Sequence, residues 1–403
     1  MNDKFLVLLI DGMADYPMKE LGGKTVMDYA KTPAIDELAR KAEMGLVKTV
    51  PDSYPPGSDV ANMSVMGYDP AKYYTGRSPF EALSMGVDLN EGDISLRCNL
   101  VTLKGAGKYA DKIMWDHSAG EISSEESKII IEDCAKELGT DKFKFYPGVS
   151  YRHLLVWKDG NLGIRLTPPH DILEKRIEEH LPEGTDSQSL LKLMEKSYDF
   201  LVKHTLNKVR REKGELPANS LWFWGEGVKP DLSSFSEKYG IEGSVISAVD
   251  LIKGLGLAAG LKSIDVAGAT GRIDTNFSGK VEAALERMRL GDDFIFLHIE
   301  AADEAGHQGD LETKIEAIEL IDEFVVKPIS NEMKFFDGFS FMILPDHYTP
   351  ISLRTHVGTP VPFMIYRKNF SGNKEQSFCE ESARKADLYF PQGHKLLDYF
   401  IKG

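Results

Sequence analysis

The sequence is short of several things, and each shortage removes a class of protein. Only three cysteines, Cys98, Cys134 and Cys379, are spread over 403 residues, with no C-x-x-C spacing. That excludes a disulfide framework and a thiolate zinc site, and predicts reduced, buried thiols. Positive charge is in deficit. Lys and Arg number 48 against 63 Asp and Glu, for a net charge of −15. A nucleic-acid backbone would be repelled by such a chain. Any anionic substrate would need positive charge gathered locally. No apolar run approaches the roughly 18 residues a membrane span requires. The run FLVLLI at 5–10 is too short even for a signal peptide, and the reading is a cytoplasmic protein with no membrane partner. No P-loop and no kinase glycine-rich loop occurs. There is no internal repeat and no low-complexity tract.

What is present describes a large α/β protein. The apolar share is 42% and the charged share 28%, a globular mixture long enough for two domains. The apolar run at Phe5–Ile10 ends in Asp11-Gly12, and reads as a buried parallel strand that delivers a carboxylate at its C-terminal end. The pattern recurs at Phe294–Ile299, leading to Glu300-Ala-Ala-Asp303, and at Phe339–Leu344, leading to Pro345-Asp346-His347. A further strand is expected at Pro362–Tyr366. Helical patterns fall at Thr32–Lys41, Asp250–Leu257, Lys280–Leu290 and Lys314–Val326. The alternation predicts a mostly parallel central sheet with helices on both faces. Strand patterns at Asn99–Leu103, Tyr151–Trp157 and Leu162–Leu166, with a helix at Ser124–Leu138, predict a smaller inserted α/β cap over 99–182. Residues 1–98 and 183–403 then form the core, and Ser187–Arg211 is expected to be one long helix returning to it.

Ligand chemistry collects at the strand ends. Asp11, Asp303, His307, Asp346, His347 and His356 offer oxygen and nitrogen donors without a thiolate. That set suits divalent ions such as Mn²⁺, Zn²⁺, Co²⁺ or Mg²⁺. Asp303 and His307 are four residues apart, which places them on one helix face. Open α/β sheets bind their ligands at this edge, and two metals there would activate a nucleophile and neutralise a phosphoryl group. Of the remaining histidines, His298 lies within a strand and is placed to orient a ligand, while His117, His180, His204 and His394 read as surface or supporting residues. Ser58, in Pro55-Pro-Gly-Ser58-Asp-Val-Ala-Asn62, sits at the expected start of a helix. It is either a simple N-cap or a metal-activated nucleophile beside free N–H groups.

The run P-P-G-S-D-V-A-N-M-S-V-M-G-Y-D-P from Pro55, with Y-Y-T-G-R-S-P-F-E-A ending at Ala82, resembles the archaeal-type cofactor-independent phosphoglycerate mutases of the alkaline phosphatase superfamily. The resemblance continues through R-C-N at 97–99, G-A-T-G-R-I-D-T-N at 268–276, E-A-A-D-E-A-G-H at 300–307, L-P-D-H at 344–347 and T-H at 355–356. It implies an alkaline-phosphatase-like core, phosphorylation of Ser58 and two metal sites. One site would use Asp11, Ser58, Asp346 and His347; the other would use Asp303, His307 and His356. The implied reaction interconverts 3- and 2-phosphoglycerate without bisphosphoglycerate, under a closing cap. Asn62 is then expected to bond a bridging oxygen and Asp59 to orient it. Candidate cations for the small phosphorylated metabolite are Arg77, Arg97, Arg152, His153, Arg272 and Lys280.

One stretch departs from the family. Trp115-Asp-His-Ser-Ala-Gly-Glu121 stands where the archaeal mutases carry a pattern close to D-R-R-A-G-R. It is similar to a bacterial branch proposed to phosphorylate homoserine, which keeps that activity, and a plain phosphohydrolase, as alternatives. An arginine-rich cap lining would favour phosphoglycerate; a mixed acidic and basic lining would favour an amino-acid alcohol.

Overall fold

The computed structural model describes residues 3–368 and 377–403. Two compact units divide the chain: Met1–Tyr74 with Asp231–Gly403, and Thr75–Pro230.

The first unit is built on an eight-stranded sheet. Its order is Lys262–Ile264, Gly243–Ile246, Phe294–Ile299, Lys4–Ile10, Phe339–Leu344, Val361–Arg367, Ala42–Val47 and Leu388–Phe390. Lys4–Ile10 runs parallel to both Phe294–Ile299 and Phe339–Leu344. These three strands are almost wholly inaccessible, which is why their sequences are continuous apolar runs rather than alternating ones. Their shared direction puts Asp11, the Glu300–Asp303 turn and Asp346 at one edge. Val361–Arg367 is antiparallel to both of its neighbours. The sheet is therefore mostly parallel, as expected, and is flanked by helices that include Pro33–Ala39, Asp250–Ala258 and Phe277–Arg289. The expected helix at Lys314–Val326 is Leu311–Ile321 followed by a π turn at Asp322–Val326.

The second unit has its own antiparallel sheet and core. Ile94–Lys104 pairs with Ile113–Asp116, Arg152–Trp157 and Ser220–Val228, and Phe143–Tyr146 pairs with Arg152–Trp157. Helix Ser124–Leu138 starts where predicted, with Ser123 accepting from Glu126 N. This unit is wider than the expected insertion at 99–182. Ile94–Lys104 begins before residue 99, and its partner Ser220–Val228 lies far beyond residue 182. The expected single helix over 187–211 is two helices, Ser187–Leu201 and Thr205–Glu212. His204 interrupts it by accepting from Leu206 N through its ring. Both helices belong to this second unit. The expected strand at Leu162–Leu166 shortens to Ile164–Arg165, paired with Glu183–Gly184.

Candidate functional site

Three strand ends and one helix start converge in the first unit. Ser58 is the first residue of helix Ser58–Val65, and Gly57 holds the capping position in an extended conformation. The serine hydroxyl is thereby free of the N-cap role and lies 3.1 Å from His347 Nε2. One turn on, Asn62 donates to Asp346 Oδ2 at 3.0 Å and to the Ser58 carbonyl at 2.9 Å. Asp346 Oδ1 accepts from the amides of Gly12, at 3.2 Å, and His347, at 2.8 Å. His347 Nε2 is 3.2 Å from Asp346 Oδ2 and 3.7 Å from Asp11 Oδ1.

Asp11 is held by a chain of contacts. Its Oδ2 bonds His298 Nε2 at 3.0 Å, and His298 Nδ1 meets Ser247 Oγ at 3.1 Å. Burial pushes the His298 imidazole down to about 3, so it is neutral and donates one proton only. Gly12 is required beside Asp11. Its φ is +61°, and a Cβ there would stand 2.5 Å from Asp303 Oδ1 and 2.7 Å from Thr349 Oγ1.

Helix Ala301–Gln308 supplies the second group. Asp303 and His307 share one face, as the spacing predicts, with His307 Nε2 3.3 Å from Asp303 Oδ2. His356 Nε2 is 3.6 Å from Asp303 Oδ1 and 2.8 Å from His307 Nε2. The His356 ring stacks on His347 at 3.9 Å. His307 Nδ1 donates to the Arg354 carbonyl at 3.1 Å, which turns Nε2 toward the cluster. Thr349 Oγ1 bonds both Asp303 Oδ1 and His347 Nδ1.

The electrostatics of this edge call for a cation. Burial raises Asp11 well above the usual carboxylate range, and Asp346, Asp303 and Glu300 raise it further. Its Oδ1 is buried without a hydrogen-bond partner, and so is Oδ1 of Asn62. Burial would raise Asp303 too, but hydrogen bonds from His307 and His356 and the charge of His347 outweigh it and hold the group well below that range. The bond from Asp303 lifts His307 to about 9. Among the described residues, three sets of donor atoms lie close enough to share an ion: Asp303, His347 and His356; Asp11, Asp346 and His347; and Asp11, Glu300 and Asp303. An orphaned carboxylate oxygen among facing imidazole nitrogens fits a divalent metal.

The other expected residues are placed unevenly. Asp59 is pinned beside Ser58 by Tyr74, whose hydroxyl donates to Oδ2 at 2.6 Å. Lys280 is fully buried and its Nζ donates to the His298 carbonyl at 3.3 Å, so it braces the strand behind Asp11 rather than standing open as a cation for an incoming ligand. Burial lowers it to about 8, against the pull of Glu300. Arg272 is exposed and pairs with Asp274 at 3.3 Å. Arg77, Arg97 and Arg152 lie in the second unit, where Glu81 takes Arg77 Nε at 3.3 Å and Arg97 Nε at 2.9 Å. His153 does not join them. Successive strand residues point to opposite sheet faces, and His153 is turned inward from Arg152, accepting from Gly148 N at 3.0 Å. Burial takes its imidazole down to about 3. Sequence reasoning passed over Glu300 and Thr349. Glu300 heads the E-A-A-D motif and was detectable there; Thr349, an ordinary residue in a loop, gave no signal.

Known proteins of this kind cover the chain from end to end. A probable 2,3-bisphosphoglycerate-independent phosphoglycerate mutase of Geobacter sulfurreducens is 50% identical over 399 residues, 99% of each chain. The Methanosarcina barkeri enzyme of that name is 49% identical over 403 residues, again 99% of each. The chain belongs to the 2,3-bisphosphoglycerate-independent phosphoglycerate mutase family. The model of that family matches residues 39–207. A solved structure from Pyrococcus horikoshii superposes with a TM-score of 0.83 at 29% identity, covering 100% of this chain and 97% of the other. A cofactor-independent phosphoglycerate mutase from Thermoplasma acidophilum gives 0.67 at 25% identity, covering 99% of both. In this chain the strand-end acids and histidines stand together with the serine.

Proposed function

We propose that the chain interconverts 3-phosphoglycerate and 2-phosphoglycerate through a phosphorylated Ser58, without bisphosphoglycerate. The observation that carries this is the Ser58 hydroxyl at 3.1 Å from His347, beside Asp11 and Asp346. Two divalent ions fit the donors, one held by Asp11, Ser58, Asp346 and His347, the other by Asp303, His307 and His356. Bound there, they would sharpen the serine oxygen as a nucleophile and neutralise phosphoryl charge. Ser58 Oγ forms its bond to phosphorus as the bond to the 3-hydroxyl oxygen breaks. The glycerate turns, and its 2-hydroxyl oxygen takes the phosphoryl group back. The helix start at Ser58 offers free N–H groups and a favourable dipole to the phosphoryl oxygens. Asn62 ties the serine's helix to Asp346, so nucleophile and carboxylate keep one geometry. A small charged metabolite handled in the cytoplasm suits a chain in which no described helix is long and apolar enough to cross a membrane.

The charge on the Thr75–Pro230 unit favours phosphoglycerate over homoserine. Arg77, Arg97 and Arg152 gather there, and Glu121, which replaces a family arginine, is exposed in a left-handed turn. Purified protein with Mn²⁺ and 3-phosphoglycerate, followed through enolase, is expected to turn over, and Ser58→Ala to be silent. Turnover no greater than that control contradicts the proposal. Phosphorylation of homoserine from ATP would point to the homoserine kinase reading instead.

A further inference from the structure

A small apolar cluster behind the Ser58 helix holds one side chain in place. Val50, Val60 and Ala61 form this buried cluster, and the rings of Tyr54 and Tyr74 pack against it. The two rings meet edge to face, with 5.8 Å between their centres. The Pro70 carbonyl accepts from the Tyr54 hydroxyl at 3.2 Å and from the Tyr74 amide at 3.0 Å. Ring and backbone of Tyr74 are therefore both anchored, and its hydroxyl donates to Asp59 Oδ2 at 2.6 Å. That length is the usual one for an O–H donor on an ionised carboxylate.

Asp59 is the residue next to the nucleophile, in the first turn of helix Ser58–Val65. Its other oxygen, Oδ1, accepts from Val60 N at 2.9 Å and folds back over Gly57, where a Cβ would stand 2.8 Å from it. The φ of Gly57 is −173°, which any residue adopts, so glycine is needed there for room. The sequence P-P-G-S-D thus clears a seat for a carboxylate beside the serine. Beside a phosphoserine, an unrestrained carboxylate is a general base for water. The water oxygen would bond to phosphorus as the bond from phosphorus to Ser58 Oγ breaks. The proton given up by water would pass to Asp59 and from there to the departing serine oxygen. The product would be inorganic phosphate.

We propose that Tyr74 is a positioning residue that holds the Asp59 carboxylate in its seat over Gly57, and so denies the phosphorylated Ser58 a base that would pass its phosphoryl group to water. The proposal rests on the phosphoserine of the reading above. Tyr74 then sets a partition: the phosphoryl group returns to a glycerate hydroxyl rather than leaving as phosphate. Every residue involved lies within Met1–Tyr74. Tyr74→Phe keeps the ring on its apolar cluster and takes the hydroxyl donor from Asp59 Oδ2.

The test uses the full-length protein with Mn²⁺ and 3-phosphoglycerate, and reads inorganic phosphate released per 2-phosphoglycerate formed. This ratio reports the fate of the phosphoserine whichever step limits turnover. Tyr74→Phe should raise it about tenfold or more, within the range a positioned base supplies. Adding Asp59→Asn to Tyr74→Phe should bring it back to the wild-type value. An unchanged ratio in Tyr74→Phe overturns the proposal. So does a ratio that stays high in the double variant, since the hydroxyl would then not act through Asp59. Wild-type protein that forms no 2-phosphoglycerate defeats the mutase reading by itself. The proposal is then decided on protein phosphorylated from p-nitrophenyl phosphate and diluted. The Ser58 phosphopeptide should decay about tenfold faster in Tyr74→Phe than in wild type, and equal decay overturns the proposal.

Discussion

Thr349 does for Asp303 and His347 what His298 does for Asp11: it fixes the angle of a donor without offering to hold the ion itself. Partners of this kind are worth about 10–100-fold in metal affinity or activity. Thr349→Val, nearly the same size, is therefore expected to lose metal by about that factor in a competition titration while melting close to wild type. A titration equal to wild type would show the hydroxyl to be idle. The His307–Asp303 pair makes a pH prediction. Asp303 raises the folded-state pKa of His307 to about 9, above the roughly 6.5 of an unfolded histidine. In metal-free protein, the stability this pair contributes is complete below about 6.5 and is lost as pH climbs through about 9. The same proton must leave Nε2 before it can hold a metal, so affinity should rise over that interval. Urea midpoints of metal-free protein and metal titrations from pH 6 to 10 check both signs. At this scale the sequence was informative wherever a residue type was unusual for its place. Acids and histidines after apolar runs stood out; a threonine in a loop did not.

Secondary-structure elements explain why the acids meet. Lys4–Ile10, Phe294–Ile299 and Phe339–Leu344 were legible because strands buried on both faces are apolar without alternation. The orientation of Val361–Arg367 was not legible, since direction depends on how the long preceding loop returns. The break at His204 was hidden for another reason: no Gly or Pro marks it, and the amphipathic period runs on through Val202-Lys203-His204. Ser58 shows how little separates a cap from a nucleophile. Gly57 takes the capping position, so the serine moves one place into the helix and its hydroxyl is released. Helix Leu311–Ile321 anchors two loops of the site through one ammonium. Lys314 Nζ donates to Asp15 Oδ2 at 2.9 Å and to the Thr349 carbonyl at 2.8 Å, with both side chains buried. Lys314→Met would take the ammonium partner from the buried Asp15 and leave it only the amides of Tyr16 and Ile351, at a cost of about 3–5 kcal/mol. Urea unfolding monitored by circular dichroism should show it; a loss below about 1 kcal/mol would mean that Asp15 finds other partners.

Over the whole molecule, a chain of net charge −15 carries Arg77, Arg97 and Arg152 in the Thr75–Pro230 unit and the carboxylates close enough to share an ion in the other unit. The sequence disclosed the family, but not the limits of the second unit. Ile94–Lys104 and Ser220–Val228 are more than a hundred residues apart, and their pairing leaves no local mark. In the proposed reaction Ser58 carries the phosphoryl group during turnover. This is tested most directly by quenching the Mn²⁺-loaded protein with 3-phosphoglycerate in acid and weighing the peptide that contains Ser58. One added phosphoryl group is expected on Ser58, absent from Ser58→Ala and from protein without substrate. Turnover with that peptide unmodified, or with the phosphoryl group on another residue, would contradict it.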